Sequence, residues 1–144
     1  MRSARLLARS SPLLFAYGTL MRGYVRHHFL AGAALLTTGH VRGRLLDLRG
    51  YPGLIDGAGR VHGEIYRIDD PELLPVLDRE EGYNFVRRRG IVTLAGGRRA
   101  RAWLYRYRGP RGRATPIPDG DYRRVRPPGA RLATRPSPGR SPWR

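Results

Sequence analysis

The stretch from Phe85 to Arg108 constrains the fold more than any other. Two runs of strand-forming composition, 85–94 and 99–108, flank Gly96-Gly97, and a glycine pair supplies the positive φ angles that a tight hairpin demands. The second run alternates: Arg101, Trp103, Tyr105 and Tyr107 share one face, while Ala100, Ala102 and Leu104 share the other. A chain carrying such a hairpin is committed to an antiparallel sheet. Its aromatic face either lines a pocket or packs against a helix, and alternation alone does not choose between them.

The remaining elements follow from punctuation and period. Leu13 to Tyr17 is an apolar run of strand length, ended by Gly18 and followed by Thr19, a good helix N-cap. Met21, Val25 and Phe29 then recur every four residues, which predicts a helix that Gly32 ends. Residues 40–48 and 60–68 read as strands, with Gly50-Tyr51-Pro52-Gly53 and Asp56-Gly57-Ala58-Gly59 as turns between them. Asp70-Pro71 opens a second helix whose Leu73, Leu74 and Leu77 form an apolar stripe up to Gly82; Pro75 makes its start irregular. Past Gly109 the chain is rich in Pro, Gly and Arg without periodicity, and little fixed structure is expected beyond Pro127. The order of elements predicts an α+β fold, a small single domain with a mostly antiparallel, curved or barrel-like sheet and a few short helices. The expected division is a basic segment 1–12, a folded domain 13–126 and an Arg/Pro-rich flexible tail 127–144.

Composition narrows the chemistry. With no cysteine among 144 residues, disulfides, thiolate nucleophiles and cysteine-ligated zinc are excluded. The net charge of +17 attracts polyanions, but much of the excess sits at the ends: residues 1–12 carry three Arg and no acid, and residues 108–144 carry ten Arg against Asp119 and Asp121. Every basic residue is Arg, which fits the codon bias of a GC-rich genome, and any nucleic-acid contact is expected only through the Arg-rich termini. Met1 to Arg9 is too often interrupted by Arg for a secretory hydrophobic region, and no apolar run approaches the roughly 20 residues that span a bilayer. A cytoplasmic protein without membrane contact is expected. The four histidines fit no metal spacing: His27 and His28 are adjacent, and His40 and His62 stand alone. With no phosphate-binding glycine motif either, no cofactor is expected.

Two places carry chemistry. Tyr17-Gly18-Thr19-Leu20 puts a strand directly into a predicted helix start, where free N–H groups and a side-chain-free glycine suit a carboxylate, although glycine before an N-cap is also ordinary helix-starting chemistry. Glu81 follows Leu77 by four residues and so lies in the apolar stripe, with Glu80 turned toward its edge. Desolvation disfavours the charged form of a carboxyl group, as suits one that accepts and returns a proton. Glu64, in the strand around His62 to Tyr66, is a third carboxylate, placed to face either the sheet interior or the solvent, for which an Arg partner on a neighbouring strand is the simpler account.

Taken together, Tyr17-Gly18-Thr19-Leu20-Met21-Arg22-Gly23, Tyr51-Pro52-Gly53, Val61 to Ile68, Leu77-Asp78 with Glu81-Gly82-Tyr83, and Gly120-Asp121-Tyr122-Arg123 resemble the γ-glutamylcyclotransferase-like (AIG2-like) family in order, over about residues 13–126. The resemblance implies that family's fold and a cofactor-free enzyme: the α-amine of a γ-glutamyl substrate attacks its own γ-carbonyl, giving 5-oxoproline and a free amine. It makes Glu81 the catalytic general base and acid, and Tyr17, Gly18, Thr19 and Leu20 the substrate-binding loop. Tyr105 is added as a pocket residue. Phe85 stands where many members have a tyrosine, so a hydroxyl contact from that position is missing. Two other readings stand beside this one: a γ-glutamyl-ligand binding protein of the same fold without turnover, and a basic nucleic-acid-binding protein. Oligomeric state is not legible.

Overall fold

The computed structural model describes residues 11–129; most of the basic N-terminal segment and of the C-terminal tail lies outside them. Six strands make one sheet: β1 (Leu13–Ala16), β2 (Ala33–Asp47), β3 (Pro52–Ile68), β4 (Phe85–Leu94), β5 (Arg99–Tyr107) and β6 (Thr115–Ile117). Two α-helices, α1 (Leu73–Glu81) and α2 (Tyr122–Val125), and a 3-10 turn at His27–Leu30 complete it. The sheet closes on itself: β2 pairs with β3, β3 with β1, β1 with β5, β5 with β4, and β4 with β2. The result is a five-stranded barrel with β6 added to the outer edge of β2, and closure removes the exposed edges that an open sheet of this size would leave. All these pairings are antiparallel except β1 with β5, which meet at Leu14 and Trp103. Leu14, Val61, Ile65, Val92 and Leu104 are nearly inaccessible within the core. Among the described residues no helix is long and apolar enough to cross a membrane.

The hairpin read at 85–108 is present as β4 and β5, with Phe85 opposite Tyr107 and Thr93 opposite Arg99. Gly96 and Gly97 both take positive φ, 96° and 97°. Helix α1 starts after a turn in which the Leu73 N–H donates to Asp70 O, so Pro75 falls in the first helical turn, where its missing N–H costs nothing. Leu74, Leu77 and Glu81 are its buried residues, and the helix ends at Gly82 with φ 84°.

Two expectations fail. The helix after Gly18 is replaced by tight turns and the 3-10 segment: Gly23 sits at φ 89°, a left-handed conformation that breaks helical propagation, and Val25 is 65% exposed instead of lying in an apolar stripe. The turn read at Asp56-Gly57-Ala58-Gly59 does not separate two strands: β3 runs from Pro52 to Ile68, and these four residues bulge from its pairing with β2, where Ile55 faces Arg44 and Arg60 faces Arg42. Gly57 belongs there because the Arg44 stem lies over it; a Cβ at Gly57 would sit 2.1 Å from Arg44 Cγ. Past Gly109, where the sequence shows no periodicity, the chain supplies β6 and α2. Even Pro128 and Gly129, assigned to the flexible tail, pack on Gly23, with the Gly129 N–H donating to Gly23 O at 3.2 Å.

Candidate active site

β1 delivers the Tyr17–Leu20 turn to one end of the barrel, and the turn is fixed from three sides. The Tyr17 hydroxyl donates to Tyr105 O at 2.6 Å and accepts from the Leu54 N–H at 3.2 Å. Burial first, then the charge of Glu81, pushes this phenol far above its ordinary range, so it stays protonated as a strut between β1, β3 and β5. Gly18 lies against the Pro52 ring, so close that a Cβ would fall 2.5 Å from Pro52 Cγ. Thr19 O accepts the Arg26 N–H at 3.1 Å and Gly18 O accepts the Met21 N–H at 3.0 Å, folding the loop back on itself. The N–H groups of Gly18 and Leu20 have no acceptor among the described residues.

Helix α1 brings Glu81 to the same place. The helix is pinned to the hairpin by Asp78, which accepts two hydrogen bonds from Arg87, at 2.8 and 3.1 Å, and one from the Tyr105 hydroxyl at 2.6 Å. Burial pushes the Asp78 carboxyl up, but the Arg87 and Tyr105 hydrogen bonds with the Arg87 charge outweigh it and hold the group below the usual carboxylate range. Burial and the bond to Asp78 drive the Tyr105 phenol far upward. Arg87 in turn lies over the Trp103 ring, 4.4 Å from its centroid. With the helix so fixed, Glu81 in its last turn faces inward and is only 9% exposed.

Tyr17, Gly18, Thr19, Leu20, Glu81 and Tyr105, gathered from three separate parts of the sequence, all line one narrow cleft, with Phe85 and Pro52 among its apolar walls. Tyr105 forms a wall whose hydroxyl is committed to Asp78. The aromatic face of β5 therefore divides: Tyr105 lines the cleft, while Trp103 carries Arg87 and Arg89 on the outside. Phe85 stacks edge-on to Tyr107, ring centroids 5.2 Å apart. The helix-start seat expected at Gly18 is instead a turn without a helix dipole behind it, in which the Gly18 and Leu20 N–H groups are unmet among the described residues.

Arg26 is the residue that sequence reasoning missed. Its Nη1 donates to Glu81 Oε2 at 2.6 Å, and both side chains are nearly buried, 11% and 12% exposed. The partners are 55 residues apart, so no spacing rule could have found them. Arg26 Nη2 is buried without a partner among the described residues, an arrangement that costs on the order of 1–3 kcal/mol when left unmet.

Glu64 has the Arg partner expected of it, though from α2 and the loop after Leu20 and not from a neighbouring strand. Its Oε1 accepts from the Arg22 N–H at 2.9 Å and the Tyr66 hydroxyl at 2.6 Å, and its Oε2 from Arg123 at 2.6 Å. These bonds tie the loop after Leu20 to β3 and α2. A wider groove of about 670 Å3 passes this cluster and both His40 and His62. Those histidines do not stand alone; they are register partners with rings 5.9 Å apart. Among the described residues no three His, Asp or Glu side chains are grouped to hold a metal ion.

A family model described as gamma-glutamyl cyclotransferase, AIG2-like, matches residues 14–124. The gamma-glutamylcyclotransferase family protein YtfP of Escherichia coli is 36% identical over 112 residues, covering 76% of this chain and 94% of that protein. Its solution structure superposes with a TM-score of 0.56 over 76% of this chain and 95% of that one, at 34% identity. A crystal structure from Pyrococcus horikoshii, an uncharacterized protein, matches with a TM-score of 0.65 and 27% identity over 81% of this chain and 93% of that one. The gamma-L-glutamyl-butirosin B gamma-glutamyl cyclotransferase of Niallia circulans is 38% identical over 72 residues, 49% of this chain and 46% of that enzyme.

Proposed function

The chain belongs to the gamma-glutamyl cyclotransferase, AIG2-like family, and on that footing we propose that it cyclises γ-glutamyl amines to 5-oxoproline with Glu81 as the proton carrier. The observation that carries this reading is the meeting of Glu81 and the Tyr17–Leu20 turn in one cleft. The substrate supplies its own nucleophile, so the protein's task is to hold one conformer and to move protons. Holding an amine against an acyl carbon in near-attack geometry is worth about 7–11 kcal/mol in favourable intramolecular cases.

In its ion pair with Arg26, Glu81 is a carboxylate, the form that takes a proton. It removes one from the α-ammonium; the freed nitrogen forms a bond to the γ-carbonyl carbon, and the carbonyl oxygen gathers negative charge. The Gly18 and Leu20 N–H groups are the donors we assign to the substrate's oxygens. Glu81 then returns that proton to the departing nitrogen as the original amide C–N bond breaks and the carbonyl re-forms; the ring nitrogen gives up its second proton, which leaves on the released amine as its ammonium ion. No water is consumed, and the atoms of the substrate are divided between 5-oxoproline and the free amine. A proton carrier of this kind contributes roughly 10²–10⁴-fold.

Incubating the protein with a panel of γ-glutamyl amino acids, peptides and amines and assaying 5-oxoproline tests this reading and identifies the leaving amine. A panel in which γ-glutamyl ligands bind by calorimetry and are returned uncut supports the binding-protein reading instead. Salt-sensitive binding of nucleic acid that vanishes on removing residues 127–144 supports the third reading.

A further inference from the structure

Among the described residues, Arg26 and Glu81 are the only charged side chains lining the cleft, and each leaves one polar atom unused. Arg26 spends Nη1 on Glu81 Oε2 and keeps Nη2 buried and unpartnered among the described residues; Glu81 Oε1 accepts no hydrogen bond from a described residue. A pair kept only for stability would meet both forks, because a guanidinium and a carboxylate match two bonds at once. Here one donor and one acceptor of opposite charge are left side by side. The free space beside them is small, about 30 Å3, so a ligand head group enters by drawing the two side chains apart and must replace the partner that each one loses.

We propose that Arg26 reads the α-carboxylate of the substrate, so that the separated pair receives an amino-acid head group whole: ammonium on Glu81, carboxylate on Arg26. This deepens the γ-glutamyl reading and rests on it. An α-amino acid head carries both charges on one carbon, which is the spacing that an ion pair can accept by exchange of partners. A substrate without the carboxylate would break the Arg26–Glu81 bond and leave the guanidinium buried and unpaired. The cleft therefore selects γ-glutamyl compounds with a free α-carboxylate over 4-aminobutanoyl amides of the same amine, which close to 2-pyrrolidinone by the same bond changes. Arg26 is placed for this by the binding loop itself, since its own N–H is held by Thr19 O at 3.1 Å.

The test compares wild type, Arg26→Gln and Arg26→Lys on two probes, 5-oxoproline and 2-pyrrolidinone, by NMR titration, and on kcat/KM for the best-cleaved γ-glutamyl amine against its 4-aminobutanoyl counterpart. Wild type should prefer the carboxylate-bearing partner at least about tenfold, the low end for one charge-assisted hydrogen bond. Arg26→Gln should erase that preference while both probes still bind weakly, and Arg26→Lys should restore part of it. A preference that survives undiminished in Arg26→Gln overturns the proposal while leaving the γ-glutamyl reading intact. If Arg26→Gln does not fold, Arg26→Lys decides: an undiminished preference overturns the proposal, because lysine has no second Nη. If wild type neither cleaves the γ-glutamyl substrate nor binds 5-oxoproline, both readings fall together.

Discussion

Arg26 holds Glu81 across the cleft, Nη1 to Oε2 at 2.6 Å, with both side chains nearly out of reach of solvent. Removing the cation alone strands a buried carboxylate, which is more costly than losing the pair. Arg26→Met should lower unfolding stability by about 3 kcal/mol, the low end of the range for a broken buried pair because the cleft lies at the surface. The double variant Arg26→Met with Glu81→Gln should recover most of it. Urea titration of the three proteins checks this; equal midpoints for Arg26→Met and wild type would contradict it.

Glu64 and Glu81 are both buried acids, 3% and 9% exposed, but their surroundings assign them different work. Glu64 is surrounded by donors from Arg22, Tyr66 and Arg123. Glu64→Gln should therefore cost stability, about 1–3 kcal/mol through mismatched buried hydrogen bonds, while the folded fraction retains turnover. Chemical denaturation read beside activity per folded molecule separates the two effects.

Gly18→Ala should impair both stability and turnover. The added methyl would lie 2.5 and 2.8 Å from Pro52 Cγ and Cδ, and overpacking of this kind costs about 1–3 kcal/mol. A fully active, equally stable Gly18→Ala protein would show that the turn does not need its close approach to Pro52.

Stability should fall in acid through Asp78. Its folded-state pKa lies below the ordinary 3.8, so the unfolded chain binds the proton first, and stability rises with pH through that window. The contribution is full above the ordinary value and is lost as pH drops through the folded one. Asp78→Asn should be less stable than wild type at neutral pH and should flatten the acid limb; a limb of unchanged slope would contradict the account.

How much of this was legible follows from the range of the interactions. Gly96-Gly97 and the alternation of residues 99–108 are local signals, and they gave the β4–β5 hairpin. The Leu73, Leu74, Leu77 stripe is also local, and it placed Glu81 on the buried side of α1. The helix expected from Met21, Val25 and Phe29 failed because Gly23 takes a positive φ, in a turn against which Pro128 and Gly129, more than 100 residues later, pack. The long β3 hid behind its glycines because pairing with β2 on both sides of residues 56–59, and not local propensity, makes it one strand. Arg26 was invisible for the same reason: in sequence it is one of 28 arginines, and only the closed barrel brings it to Glu81.

The most direct measurement is 5-oxoproline release by wild type and Glu81→Gln on the best γ-glutamyl amine, with circular dichroism to verify the fold. The account predicts that the variant stays folded and loses at least about 10²-fold in kcat. A folded Glu81→Gln protein releasing 5-oxoproline at the wild-type rate would contradict it.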